Sequence, residues 1–226
     1  MTEDTILQET LIDLYETVNL DAESAGTTNH ESFFNIYLDL AVENGDIQRV
    51  DYTPVNKEGR GGYAIDGYSI DLDRQELYIV ICLYSDEKIL KTLNIDKLRS
   101  IFKRSQEFIT KATEAEFIND LEPSLPSFQA GYPIHESFST ISRIRLLMFT
   151  DSQLSLRTTD IQFGSIKEKP VSYNVIDIDR YHKINSLRNT VESIELDLKE
   201  MNGEPLRCLE AHLSSSTYKS YLVVFP

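Results

Sequence analysis

The sequence predicts an α/β (α+β) protein: a mixed β-sheet flanked by helices, followed by antiparallel strands at the C-terminus. Three observations carry this. Helical and strand-like patterns alternate along residues 1–190, as a sheet with crossover helices requires. The segment ELYIVICLY, residues 76–84, is apolar on both faces, so it needs cover on both sides. The last part, 191–226, has three short strand patterns and little helical periodicity.

Taken in order, residues 2–24 place Ile6, Leu7, Leu11, Leu14, Tyr15 and Val18 at helical spacing, with Thr2 or Asp4 as cap. AGTTNHES breaks that pattern. A second helix follows over 31–43, with Phe33, Phe34, Tyr37, Leu38 and Ala41 on one face and Asn44-Gly45 at its end. Three strands are expected at 47–54, 62–71 and 76–84, joined by NKEGRGG and LDRQ. A long helix is expected over 95–115, capped by Asn94, with Leu98, Ile101, Phe102, Phe108 and Ile109 on one side. LEPSLPSFQAGYP, with three prolines, reads as a loop or the surroundings of a short helix. ISRIRLLMFTD is a buried strand, and VSYNVIDIDRYHKI a strand entering a short helix with Asp177 or Asp179 at the junction. SIELDL, LRCLEAHL and KSYLVVFP close the chain as strands, the first two joined by the turn sequence MNGE. The division is therefore 1–190 as one α/β domain and 191–226 as a strand extension, the start of a further domain. Ending directly after an apolar strand, the sequence reads as an N-terminal piece of a longer protein.

Composition narrows the function. With 41% hydrophobic residues in 226 the chain can build a substantial core. Neither a membrane-spanning run nor a signal peptide is present, and Cys82 and Cys208 read as reduced core thiols of a cytoplasmic protein. Twenty-two basic against 37 acidic residues give a net charge of −15, which repels nucleic acid at long range. DKLRSIFKRS is a local basic exception. The expected partner is a protein or the rest of a longer chain. No phosphate-binding loop, no hydrolase nucleophile elbow and no zinc-protease pair is present, and His30, His135, His182 and His212 fall in four separate segments.

The hairpin GGYAIDGYSIDLDRQELYIVICLY, residues 61–84, holds the remaining candidates: Asp66, Asp71, Asp73 and Glu76. Nuclease chemistry with Mg²⁺ needs converging carboxylates and a basic group near the attacking water. In the PD-(D/E)XK arrangement one acid sits on a strand, and an acid and a lysine one residue apart sit on the next. A glutamate often comes from the preceding helix. The helix–strand–strand–strand–helix–strand order fits that restriction-endonuclease-like core. Asp66 stands where the first acid would be, and Glu31 or Glu43 could be the helix glutamate. The acid–lysine pair should fall within IVICLY, which has neither. Glu76 lies at the start of that strand and Lys88 beyond its end. Apart from metal, Asp66-Gly67 reads as a bend residue and a glycine permitting positive φ. Asp71 and Asp73 read as solvated hairpin ends.

GYAIDGYSIDLDRQELYIVICLY, KRSQEFI, RIRLLMFTD, YNVIDIDRYHKI, IELDL and YLVVFP, in this order, resemble the N-terminal region of abortive-infection phage-resistance (AIPR) proteins, from about residue 31 to the end. The resemblance implies a bacterial, cytoplasmic defence protein with a nuclease-like N-terminal fold. In some members it implies an aspartate on this hairpin and a glutamine-x-lysine on the next strand. Asp66 carries over; the other two do not, since Ile81 and Leu83 stand in their places. Three functions are then open. One is a catalytically degenerate nuclease-like module used for protein interaction or scaffolding, without cofactor. Another is an active Mg²⁺-dependent nuclease built on Asp66 with Glu31, Glu43, Asp71 or Glu76. The third is an unrelated α/β protein-interaction domain.

Overall fold

The computed structural model describes residues 3–155, 164–189, 208–211 and 220–223. The chain divides into two compact units, residues 1–189 and 190–226. The first begins with helices α1 (Glu3–Ala25) and α2 (Asn29–Glu43), then the meander β1 (Asp51–Lys57), β2 (Tyr63–Asp71) and β3 (Glu76–Leu83). The short strand β4 (Thr92–Leu93) leads into helices α3 (Ile95–Ala112), α4 (Ala115–Asn119) and α5 (Pro126–Ser137). Strands β5 (Arg143–Thr150), β6 (Gln153–Leu154), β7 (Ser165–Ile166) and β8 (Lys169–Ile176) precede α6 (Ile178–Asn189). In the second unit, β9 (Cys208–Ala211) pairs antiparallel with β10 (Ser220–Val223).

The main sheet has the order β1-β2-β3-β5-β8-β7. Its first three strands are antiparallel, β5 is parallel to β3, β8 is parallel to β5, and β7 is antiparallel to β8. The crossover between parallel β3 and β5 carries α3, α4 and α5, because a parallel connection needs a long return path. β3 is interior, and its two apolar rows serve two cores. Leu77, Ile79 and Ile81 pack with Leu98, Phe102, Phe108 and Ile109 of α3. Tyr78 and Val80 pack with Phe33, Phe34 and Tyr37 of α2 and with Leu11, Leu14 and Val18 of α1. Fully burying one such side chain stabilises the fold by about 1.5–3 kcal/mol, so the sheet is held by both helix layers. The helix starts are capped as their sequences require: Thr28 Oγ1 accepts from Glu31 N at 3.2 Å, and Asn94 Oδ1 from Lys97 N at 2.9 Å. Asp177 does the same for α6, accepting from Arg180 N at 2.9 Å.

Several expectations shift. β1 occupies 51–57 rather than 47–54: Ile47 and Val50 are buried against the α2 side before the strand starts, and Pro54 sits in a register irregularity on this edge strand. The long helix stops at Ala112, and the proline-rich segment forms α5. Pro126 lies in its first turn, where a missing N–H costs nothing. Pro133 lies inside it and leaves the Gln129 carbonyl without its helical donor, and Tyr68 Oη donates to that oxygen at 2.9 Å instead. Of the C-terminal strands, SIELDL and the MNGE turn lie outside the described residues.

Candidate functional site

Asp66 sits where two strands part. β2 and β3 are paired from Asp71↔Glu76 to Gly67↔Val80 and no further. Beyond Gly67, β2 follows β1 alone, through Ile65↔Val55 and Ala64↔Asn56. The N–H of Cys82 has therefore lost its partner on β2, and a backbone donor in such a place needs another. Asp66 Oδ2 accepts from it at 2.6 Å. Its other oxygen, Oδ1, lies 3.7 Å from Nε2 of His30, in the first turn of α2. The Nδ1 of His30 meets Tyr52 Oη at 3.1 Å. The Asp66 side chain is 13% exposed. Burial raises its carboxyl above the usual range, and His30, the Cys82 N–H and Arg104 offset this only in part. Burial, then the Asp66 charge, pushes the Tyr52 phenol up to about 12. Burial, then Asp66, also drives the Cys82 thiol well above its ordinary value.

The bend reading of Asp66-Gly67 does not hold. Both residues lie within β2, and Gly67 is not among the positive-φ glycines. A Cβ on Gly67 would come 2.7 Å from Phe34 Cζ, 2.8 Å from Val50 Cγ1 and 2.9 Å from the Asp51 carbonyl oxygen. The glycine is there so that α2 and β1 can approach, and this brings His30 to Asp66.

The fork opens into a cavity of about 250 Å³. Val55, Ile81, Leu83 and Ile101 make its apolar walls, Asp66 is its one carboxylate, Lys97 and Arg104 supply cationic groups, and His30 adds an imidazole. Lys97, Ile101 and Arg104 fall at i, i+4 and i+7 of α3 and so share one face. They belong to the basic segment DKLRSIFKRS, which the sequence marks only as a local basic patch; its helical spacing is the signal that could have joined them. Nothing in the sequence ties His30 to it, because that contact depends on how α2 lies over β2.

The other candidates are elsewhere. Glu76 is six residues before Cys82 on β3, roughly 20 Å at the rise of a strand. It is buried, accepting from Tyr78 Oη at 2.6 Å and pairing with Arg145 at 2.9 Å and Arg143 at 3.4 Å. Burial pushes its carboxyl up, but the bonds from Arg145 and Tyr78 and the charges of Arg145 and Arg143 together hold it low. Asp71 is buried rather than solvated, its Oδ1 accepting from Arg74 N at 2.9 Å in the hairpin turn, while Asp73 is exposed. Glu43 is exposed at the far end of α2, thirteen residues or about 20 Å from His30. Glu31 adjoins His30, and its charge raises Tyr52 rather than joining Asp66 among the cavity's walls. Among the described residues no three His, Cys, Asp or Glu side chains are placed to hold a metal ion. To Mg²⁺, which takes oxygen ligands, the cavity offers the single carboxylate of Asp66, with Oδ2 already accepting from the Cys82 N–H, and no second one.

Fold and cavity together define a helix-flanked mixed-sheet domain with a single-carboxylate cavity at its β2–β3 fork. The chain belongs to the family of the abortive infection phage resistance protein N-terminal domain, whose model matches residues 33–183. The segments IELDL and YLVVFP lie beyond that match. No curated protein and no solved structure matches the chain. Among the described residues no helix is long and apolar enough to cross a membrane.

Proposed function

We propose that this domain is a catalytically degenerate nuclease-like module of a bacterial, cytoplasmic phage-defence protein, serving protein interaction or scaffolding rather than cleavage. One observation carries the reading. Ile81 and Leu83, where a nuclease of this arrangement would place a metal-binding residue and a lysine, line the same cavity as Asp66. They offer the metal no oxygen and the attacking water no base. The strand senses support the comparison: an antiparallel meander, a helical crossover, then a strand parallel to β3. The units 1–189 and 190–226 are consistent with a module that continues into a further domain.

The test is direct. Purified chain is incubated with plasmid DNA and with RNA in Mg²⁺ and in Mn²⁺, beside the D66A variant. No cleavage by either protein is expected. Cleavage by the wild type that disappears in D66A would replace this reading with that of an active nuclease of unusual site.

A further inference from the structure

We propose that the cavity at the β2–β3 fork binds a phosphoryl group, free or carried on a small organic ester, with Lys97 and Arg104 as its charged donors. This rests on the reading that the cavity has lost its metal chemistry, and it assigns the space a different ligand.

Charge balance carries this: two cations face one carboxylate. In a chain of net charge −15, cations are expected to find carboxylates. Two cations of α3 do: Arg99 lies 3.7 Å from Asp96, and Lys111 lies 3.4 Å from Glu107. Among the described residues Lys97 has no ion-pair partner. Arg104 is aimed by neutral acceptors, its Nη2 donating to Asn56 Oδ1 at 2.6 Å and to the carbonyls of Lys57 at 3.2 Å and Tyr63 at 3.5 Å. Those bonds orient the guanidinium without cancelling its charge. The cavity's own carboxylate is engaged by the Cys82 N–H and by His30. Two positive charges therefore face one space against a single carboxylate, Asp66, which already accepts from the Cys82 N–H.

The chemistry selects the ligand. A carboxylate brings one negative charge, whereas a phosphate ester brings about 1.5 to 2 and several acceptor oxygens, enough for both donors. Val55, Ile81, Leu83 and Ile101 offer apolar surface to an organic group, and about 250 Å³ limits that group to a small one.

Calorimetric titration of the whole chain at low salt, in EDTA and again in Mg²⁺, tests this with four probes: inorganic phosphate, a nucleoside monophosphate, the parent nucleoside and a short single-stranded oligonucleotide. The monophosphate is expected to bind and the nucleoside not. K97Q and R104Q are each expected to weaken binding by about tenfold or more. R104K, which keeps the charge, should lose less than R104Q. Inorganic phosphate matching the monophosphate, with the same response to K97Q, assigns the site to free phosphate. Lys97 is exposed, so K97Q should fold, and circular dichroism checks each variant. Failure of both phosphates to bind, or binding indifferent to K97Q and R104Q, overturns the proposal while leaving the degenerate reading in place. Binding of a short single-stranded oligonucleotide without the monophosphate also overturns it and assigns the face to nucleic acid. Binding that requires Mg²⁺ overturns both.

Discussion

Replacing Asp66 separates two things that this carboxylate does. It supplies an acceptor to the Cys82 N–H at 2.6 Å, and it places a charge where burial disfavours one. Asp66→Asn keeps an acceptor oxygen and removes the charge; Asp66→Ala removes both. The difference between the variants isolates the bond at the strand fork, about 1–3 kcal/mol for a donor left without its partner. The expected order of stability at pH 7 is D66N at or above wild type, with D66A below D66N by that amount. The pH dependence follows from the raised carboxyl. A folded-state value above the unfolded one means its stabilising contribution is complete below the unfolded value, about 4, and is lost as pH rises through the folded value. Wild type should therefore lose stability relative to D66N as pH increases from about 4. Urea unfolding of the three proteins at several pH values between acid and neutral measures this. Equal midpoints for D66A and D66N would show that the Asp66–Cys82 bond does not hold the fork. A D66N protein less stable than wild type at pH 7 would show that the buried charge is no burden.

Two further substitutions test the packing around the site. Gly67→Ala drives a methyl to within 3 Å of Phe34, Val50 and the β1 backbone, so it should cost about 1–3 kcal/mol in urea unfolding; an unchanged midpoint would mean that α2 and β1 are free to move apart there. Asp46 accepts from Arg180 Nη2 through both oxygens, at 2.8 and 2.6 Å, tying α6 to the turn after α2. Asp46→Ala should cost about 1–3 kcal/mol, with hydrogen exchange accelerated in α6, and exchange unchanged in α6 would argue against the tether.

How much of this could be read from the chain depends on the range of the forces involved. The helices α1, α2 and α3 were legible because a helix repeats its apolar face within a few residues and Asn94 caps locally. The interior place of β3 was legible because eight residues apolar on both faces leave no side for water. The lack of a second acid and a lysine at Ile81 and Leu83 was equally plain, being a matter of residue identity. Segments whose conformation is set from outside were not legible. Pro133 sits in a helix because Tyr68, from β2, serves the carbonyl it leaves open. Asp71 is buried by the turn that it holds together.

The sequence by itself determined the class of fold, the family and the absence of a metal-binding pair on β3, since these reside in periodicity and in residue type. Only the tertiary structure decided what Asp66 does. Its role depends on where β2 leaves β3, beside Gly67, on which Phe34 of α2, Val50 and the β1 backbone close. It also brought His30, Lys97 and Arg104, from two helices on opposite faces of the sheet, to one cavity. No local pattern encodes that meeting, because the contact energy that makes it is shared among residues far apart in the chain.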